Sequence, residues 1–150
     1  MTTHERRDAL LHMFNKVATI ARTFGMTLSF NADGQAVVDL PYNPGLDHAQ
    51  GGVHGGVYAT LLDTAGWFTA AAAHDVDSWI ATAEMSIHFL LPVRASALRA
   101  IGRLIKTGRR QDIAEMHLYD ADGRLVGHAT GTFIILPGIP AERNDDDTQG

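Results

Sequence analysis

Two features of this 150-residue sequence could do chemistry together: the triplet His54-Gly55-Gly56, and, after six intervening residues, a lone carboxylate, Asp63, in an almost wholly apolar run. A buried carboxylate is costly unless it is paired or hydrogen-bonded, so its presence there needs a reason. If the run is a helix, Gly55 and Gly56 sit at or just before its first turn, where amide N–H groups have no intrahelical partner. Those amides carry the positive end of the helix dipole, and glycine has no Cβ to block a ligand. Such a place can hold a carbonyl oxygen as it becomes negative.

On a helical wheel Asp63 shares a stripe with Gly56, Ala59, Thr60, Gly66, Trp67 and Ala70, most of them small, while Leu61, Leu62, Ala65, Phe68 and Ala72 form the greasy remainder. Small neighbours leave room for a second backbone or a ligand. Gly66, which costs up to about 1 kcal/mol relative to Ala in a helix interior, also suggests close approach. The competing reading makes Asp63 a structural acid bonded to Thr60 or a loop, Gly-Gly a mere joint, and His54 a cap.

These residues need elements to position them. Leu10, Met13, Phe14, Val17, Ile20, Ala21 and Phe24 recur at helical spacing, which predicts an amphipathic helix over 5–23 with Gly25 as its stop. Strands over 26–30 and 35–40 flank Asn31-Ala-Asp-Gly34, a hairpin signal. Residues 41–53 are loop, and the apolar helix runs from about Gly55 to His74. In the strand over 79–91, simple alternation puts Ala81, Ala83, Met85, Ile87 and Phe89 on one side and Thr82, Glu84, Ser86 and His88 on the other. Further strands follow over 97–106, 112–119 and 125–136, joined by tight turns, which implies an antiparallel sheet. Only the long helix can cover that sheet's apolar face, so the sheet should wrap around it.

Composition narrows the function classes. The chain is 45% hydrophobic and 19% charged, as a single globular domain of 1–138 would be. It has no cysteine, which excludes disulfides and thiolate chemistry and fits a reducing cytoplasm. The sole candidate membrane segment, 57–73, has Asp63 near its centre, so no membrane role is expected. Net charge is −5, of which residues 141–150 carry −3; the stretch 139–150 reads as a disordered acidic tail. Six of the twelve Lys and Arg residues lie between Arg94 and Arg110 with no acid among them. That is either a solvated strand face or a dock for a phosphate-bearing ligand, and it is too modest a patch for nucleic acid.

The pattern Gly51-x-x-His54-Gly55-Gly56 followed by Asp63, with Thr82 before Glu84-Met85 and Pro92 closing the strand, resembles the hotdog-fold acyl-CoA thioesterases, and within them the phenylacetic-acid-degradation (PaaI-type) branch. The resemblance spans roughly residues 25–137. It implies an α+β hotdog fold, an antiparallel sheet wrapped around one long central helix, here with an additional N-terminal helix. It also implies homodimers, commonly paired into homotetramers, with active sites shared between subunits.

Carried over by that resemblance, the Gly55 N–H binds the thioester oxygen, with Gly56 beside it. Asp63 of the other subunit acts as base or nucleophile, Thr82 positions the water or the carboxylate, and His54 shapes the oxyanion loop. His48 stands where the family usually has Asn, and a histidine there can still donate through one ring nitrogen. Lys106, Arg109 and Arg110 are expected to meet the phosphates of coenzyme A. Tyr58 and Trp67, with Leu46, are expected to line the acyl pocket.

No metal and no cofactor is expected beyond the coenzyme A of the substrate. His48, His54 and Asp63 could in principle supply three ligands, but HEXXH-type or clustered Cys/His spacing is missing. No Gly-x-Ser-x-Gly elbow occurs either. The expected activity is hydrolysis of an aryl or short-to-medium acyl-CoA; the alternative is a hotdog protein that binds such a ligand without hydrolysing it.

Overall fold

The computed structural model describes residues 2–74 and 77–139. The predicted tail over 139–150 therefore lies, apart from Ile139, outside the described residues. Six strands form one antiparallel sheet: β1 (Thr27–Phe30), β2 (Ala36–Leu40), β3 (Ser78–Phe89), β4 (Leu98–Lys106), β5 (Gln111–Asp120) and β6 (Leu125–Pro137). Their spatial order is β1-β2-β4-β5-β6-β3. The long helix, α3 (Gly55–Ala72), runs across the concave face, and the arrangement is the expected hotdog. None of the described helices is long and apolar enough to cross a membrane.

Alternation in the strands builds the core. Ala114, Met116 and Leu118 of β5 and Ala129 and Phe133 of β6 have no exposed surface, and they meet Leu61, Leu62 and Ala65 of α3 in one apolar cluster. The closest approach is at Gly102 of β4. A Cβ placed there would strike the Ala65 carbonyl and lie 2.5 Å from Thr69 Oγ1. Gly66 faces the same sheet, where a Cβ would come within 2.6 Å of the Phe133 ring and 2.8 Å of Met116 Sδ. Its close neighbour is therefore the chain's own sheet and not a ligand.

The single N-terminal helix predicted over 5–23 is instead broken. Helix α1 (Thr3–His12) starts with a capping box between Thr2 and Glu5, widens into a π turn over Met13–Val17, and stops at Ala18, whose φ of −66° and ψ of 114° are extended. A second helix, α2 (Thr19–Phe24), then ends at left-handed Gly25. The cause is Asn15. Its side chain donates to the Leu28 carbonyl at 2.9 Å and accepts from the Leu28 N–H at 2.8 Å, so it satisfies part of the free edge of β1. Apolar periodicity cannot register that bond. Leu10 and Phe14 still bury on α3, with the Phe14 and Phe68 rings edge to face at 5.2 Å, while Val17 and Ile20 stay exposed.

The alternation predicted for β3 is also corrected. Register shifts between Thr82 and Glu84, so Ala83 is a bulge; Thr82 pairs with Phe133, and Met85 pairs with Gly131. One extra residue exchanges the two faces. Ile80 and Thr82 thus share the helix side with Met85 and Ile87, and Ala81 does not. Strand β3 is also a sheet edge, and its outer side is unpaired among the described residues.

Gly102→Ala should destabilise the domain by about 1–3 kcal/mol or more, because helix backbone, unlike a side-chain tip, cannot swing aside. Urea unfolding followed by circular dichroism measures this; an unchanged midpoint would contradict the packing described.

Candidate active site

The chemistry begins at the start of α3. His54 is its N-cap, with φ −61° and ψ 138°, and its Nδ1 accepts the Gly56 N–H at 2.8 Å. The neutral ring then carries its proton on Nε2. The Val57 N–H donates to the His54 carbonyl at 2.9 Å. Of these first amides only that of Gly55 donates to no group among the described residues, which leaves it for a ligand. The joint is held from outside, since the His54 N–H donates to Leu46 O at 3.1 Å and the Val53 N–H to Val93 O at 2.9 Å.

The preceding loop folds back on itself. His48 N–H donates to Gly52 O, Gly51 N–H to His48 O, and Arg94 donates to Gln50 O. The exposed His48 ring accepts the Gln50 N–H on Nδ1 at 3.1 Å, which puts its proton on Nε2. That Nε2 lies over Gly52, 2.7 Å from where a Cβ would stand.

Asp63 is half-buried, not sealed in the core as the apolar run suggested. The Thr82 hydroxyl donates to its Oδ1 at 2.7 Å, across from the bulged edge strand. Thr60 is not its partner, because that hydroxyl donates to Gly56 O. The carboxylate lines a cavity of about 250 Å³ with Met13, Phe14, Ile20, Trp67 and Trp79. Trp67 is pinned there by its Nε1–H, which donates to Ile80 O at 2.8 Å, and by the Trp79 ring at 5.0 Å. An acid in an apolar wall, oriented by a hydroxyl, can take a proton from a water beside an acyl group.

Geometry separates the two halves of the predicted chemistry. Eight residues along one helix put Asp63 about 12 Å from Gly55. They cannot address one carbonyl within a single chain.

The comparisons with known proteins decide the family. A model described as the thioesterase superfamily matches residues 50–127. The chain belongs to the thioesterase superfamily. A thioesterase-family protein of Silicibacter pomeroyi shares the fold with a TM-score of 0.81 at 22% identity, covering 91% of this chain and 100% of that one. A Bacillus halodurans protein solved with CoA has a TM-score of 0.76 at 29% identity, covering 89% of this chain and 91% of its own. A relative from Saccharolobus solfataricus, an inferred esterase, is 28% identical over 128 residues, 85% of this chain and 91% of the relative.

The thioesterase match includes His54, Gly55, Gly56, Asp63 and Thr82, and it begins after His48 and after the N-terminal wall of the cavity. Met13, Phe14, Ile20 and Trp79 were missed as wall residues. Their signal is tertiary: Met13, Phe14 and Ile20 flank a helix break that shows only once Ala18 is known to be extended, and Trp79 comes from β3.

Other expected site residues are placed elsewhere. Tyr58 is 3% exposed, its hydroxyl donates to Leu91 O at 2.7 Å, and burial pushes its phenol above the usual value. It braces the end of β3 beneath Phe89 and does not line the cavity. Leu46 packs against the core under the loop and is likewise outside the cavity wall. The basic stretch is partly neutralised, with Arg99 on Asp39 and Arg103 on Glu115, each at 2.7 Å. Lys106, Arg109 and Arg110 remain exposed and unpaired with any described residue. Their turn lies by the C-terminal end of α3, where Asp112 accepts the Gly108 N–H and meets His74 at 2.7 Å. That is the far end of the domain from Gly55.

His54→Ala should cost about 0.5–2 kcal/mol through the lost cap, and His54→Asn should recover most of it because an amide oxygen can accept the same N–H. Thermal unfolding of both variants checks this; equal losses would mean that the ring packs but does not cap.

Proposed function

We propose that this thioesterase-superfamily protein hydrolyses acyl-CoA thioesters to a free acid and coenzyme A, with Asp63 as the essential carboxylate. The observation that carries the reading is Asp63 held by Thr82 in the wall of an apolar cavity. The chain works as a homodimer, or as a tetramer of such dimers. Two facts support this: the open edge of β3, and the roughly 12 Å along α3 that forces Gly55 and Asp63 of one site to come from different chains. The bound CoA of the Bacillus halodurans protein supports the choice of thiol.

In this scheme the acyl group lies in the cavity under Trp67 and Trp79, and the thioester oxygen accepts the N–H of the partner's Gly55. The dipole of that helix favours the charge that develops on the oxygen. Asp63 takes a proton as water oxygen bonds to the carbonyl carbon. The C–S bond then breaks, and the proton passes to the departing thiolate. Thr82 keeps Oδ1 occupied, so that Oδ2 faces the water. His48 and His54 hold the loop that presents Gly55, and Lys106, Arg109 and Arg110 are the exposed cations offered to the phosphates of CoA.

Thiol release from a panel of aryl- and acyl-CoAs tests the reaction and selects the acyl group; binding without release would identify a ligand-binding protein instead. Asp63→Asn should lower kcat by about 10²–10⁴-fold with secondary structure and assembly intact. Thr82→Val should lose less, and Thr82→Ser should recover the loss. Wild-type kcat in Asp63→Asn would refute the assignment. KM should rise with salt in the wild type, and that dependence should weaken in the Arg109→Ala/Arg110→Ala variant; salt indifference in the wild type would remove these cations from the site.

A further inference from the structure

The outer face of the sheet carries a cluster that the hydrolytic site does not use. Glu115 and His117 are two residues apart on β5 and so point the same way, and His128 on β6 stands directly opposite His117. His128 Nε2 lies 3.1 Å from Glu115 Oε1, and His117 Nε2 lies 3.2 Å from that same oxygen. The three ligand atoms fall within 4.8 Å of one another.

We propose that Glu115, His117 and His128 form a binding site for a borderline divalent transition metal, Zn²⁺ in the first instance, on the outer face of the sheet. Two imidazole nitrogens and one carboxylate oxygen are a known open ligand set for zinc, with water completing the sphere. At metal–ligand distances near 2.0–2.1 Å, adjacent ligands around a tetrahedral or octahedral ion stand roughly 2.9–3.4 Å apart. The two observed spacings to Oε1 lie in that interval, and the third, between the two ring nitrogens, is within 4.8 Å, so side-chain rotation has that one gap to close. Two imidazoles among three ligands favour Zn²⁺ or Co²⁺ over Ca²⁺ and Mg²⁺, which prefer oxygen.

The surroundings suit a site. The Glu115, His117 and His128 side chains keep 20%, 29% and 28% of their exposure, so they are held and yet reachable. Arg103 Nη2 donates to Glu115 Oε2 at 2.7 Å, which fixes the carboxylate with Oε1 towards the two rings. Metal-motif spacing does not reveal the set, because two of its members meet only through the β5–β6 register.

The test uses the untagged full chain and Zn²⁺ alone as the probe, in equilibrium dialysis at pH 7.5, with Co²⁺ absorption reporting ligand type. One ion per chain is expected, bound at least tenfold more weakly in Glu115→Gln and in His117→Ala/His128→Ala, and released at pH 5.5. Saturating Zn²⁺ should raise the Tm of the wild type and of His48→Ala but not of the cluster variants. Glu115→Gln keeps the shape of the side chain, so it decides the matter even if the double variant fails to fold. No bound ion, or an affinity within threefold of wild type in Glu115→Gln, would overturn the site.

Discussion

The contact on which the rest of this structure depends is backbone against backbone, where Gly102 of the sheet meets the Ala65 carbonyl of α3. An 18-residue helix with so few polar groups has to be covered on nearly every side. The sheet covers most of it by curling around it at close range, and Leu10 and Phe14 of the N-terminal segment cover part of what is left. Between the edge strand β3 and the π turn a strip of α3 remains only partly covered. Asp63 and Trp67 lie on that strip, with the cavity over them. A carboxylate is tolerable on this helix because it lies on that partly covered strip, where the Thr82 hydroxyl donates to it.

The edge strand completes the arrangement with one inserted residue. Without the bulge at Ala83, a period of two would turn Thr82 outwards together with Ser86 and His88. With it, Thr82 reaches Asp63 while Met85 and Ile87 keep their places over the core. The unspent Gly55 amide sits at the other end of the same stretch of helix, capped by His54 and braced by Tyr58 and Phe89 near the end of β3. One chain therefore carries an acid and an amide on a rigid rod that keeps them apart. In the dimer we propose, the 12-residue edge of β3, open among the described residues, is where a second chain would bring its own pair alongside.

Much of this was legible in the residues. The Asp-Gly turns at 33–34 and 122–123, the alternation of β4 to β6 and the length of α3 gave the sheet-around-helix architecture, and the HGG-x6-D spacing pointed to Gly55 and Asp63. What could not be read depends on bonds between distant segments. Asn15 breaks the first helix because Leu28 needs partners, and a wheel shows only apolar phase. A bulge leaves no mark on a strand of alternating small and large residues, so simple alternation puts Thr82 on the wrong face. Tyr58 looked like an aromatic wall residue, yet its hydroxyl is spent on Leu91. The stretch 94–110 looked uniformly basic because Asp39 and Glu115, which neutralise part of it, come from other strands.

Strands β5 and β6 show how one register serves both faces of the sheet. Pairing His117 with His128 also sets Met116 opposite Ala129, and Asp112 opposite Phe133. Met116, Ala129 and Phe133 press on α3 with no exposed surface, and they fix the depth at which the helix, and therefore Asp63, sits. A slip of one residue would drive histidine into that core and lift methionine into water. The same slip would carry the His128 ring away from Glu115 and His117, which share one strand and would stay together. The core thus enforces the geometry of the polar cluster: packing energy on the inner face keeps His128 3.1 Å from Glu115 Oε1, a contact between strands that such a partly exposed pair could not maintain by itself.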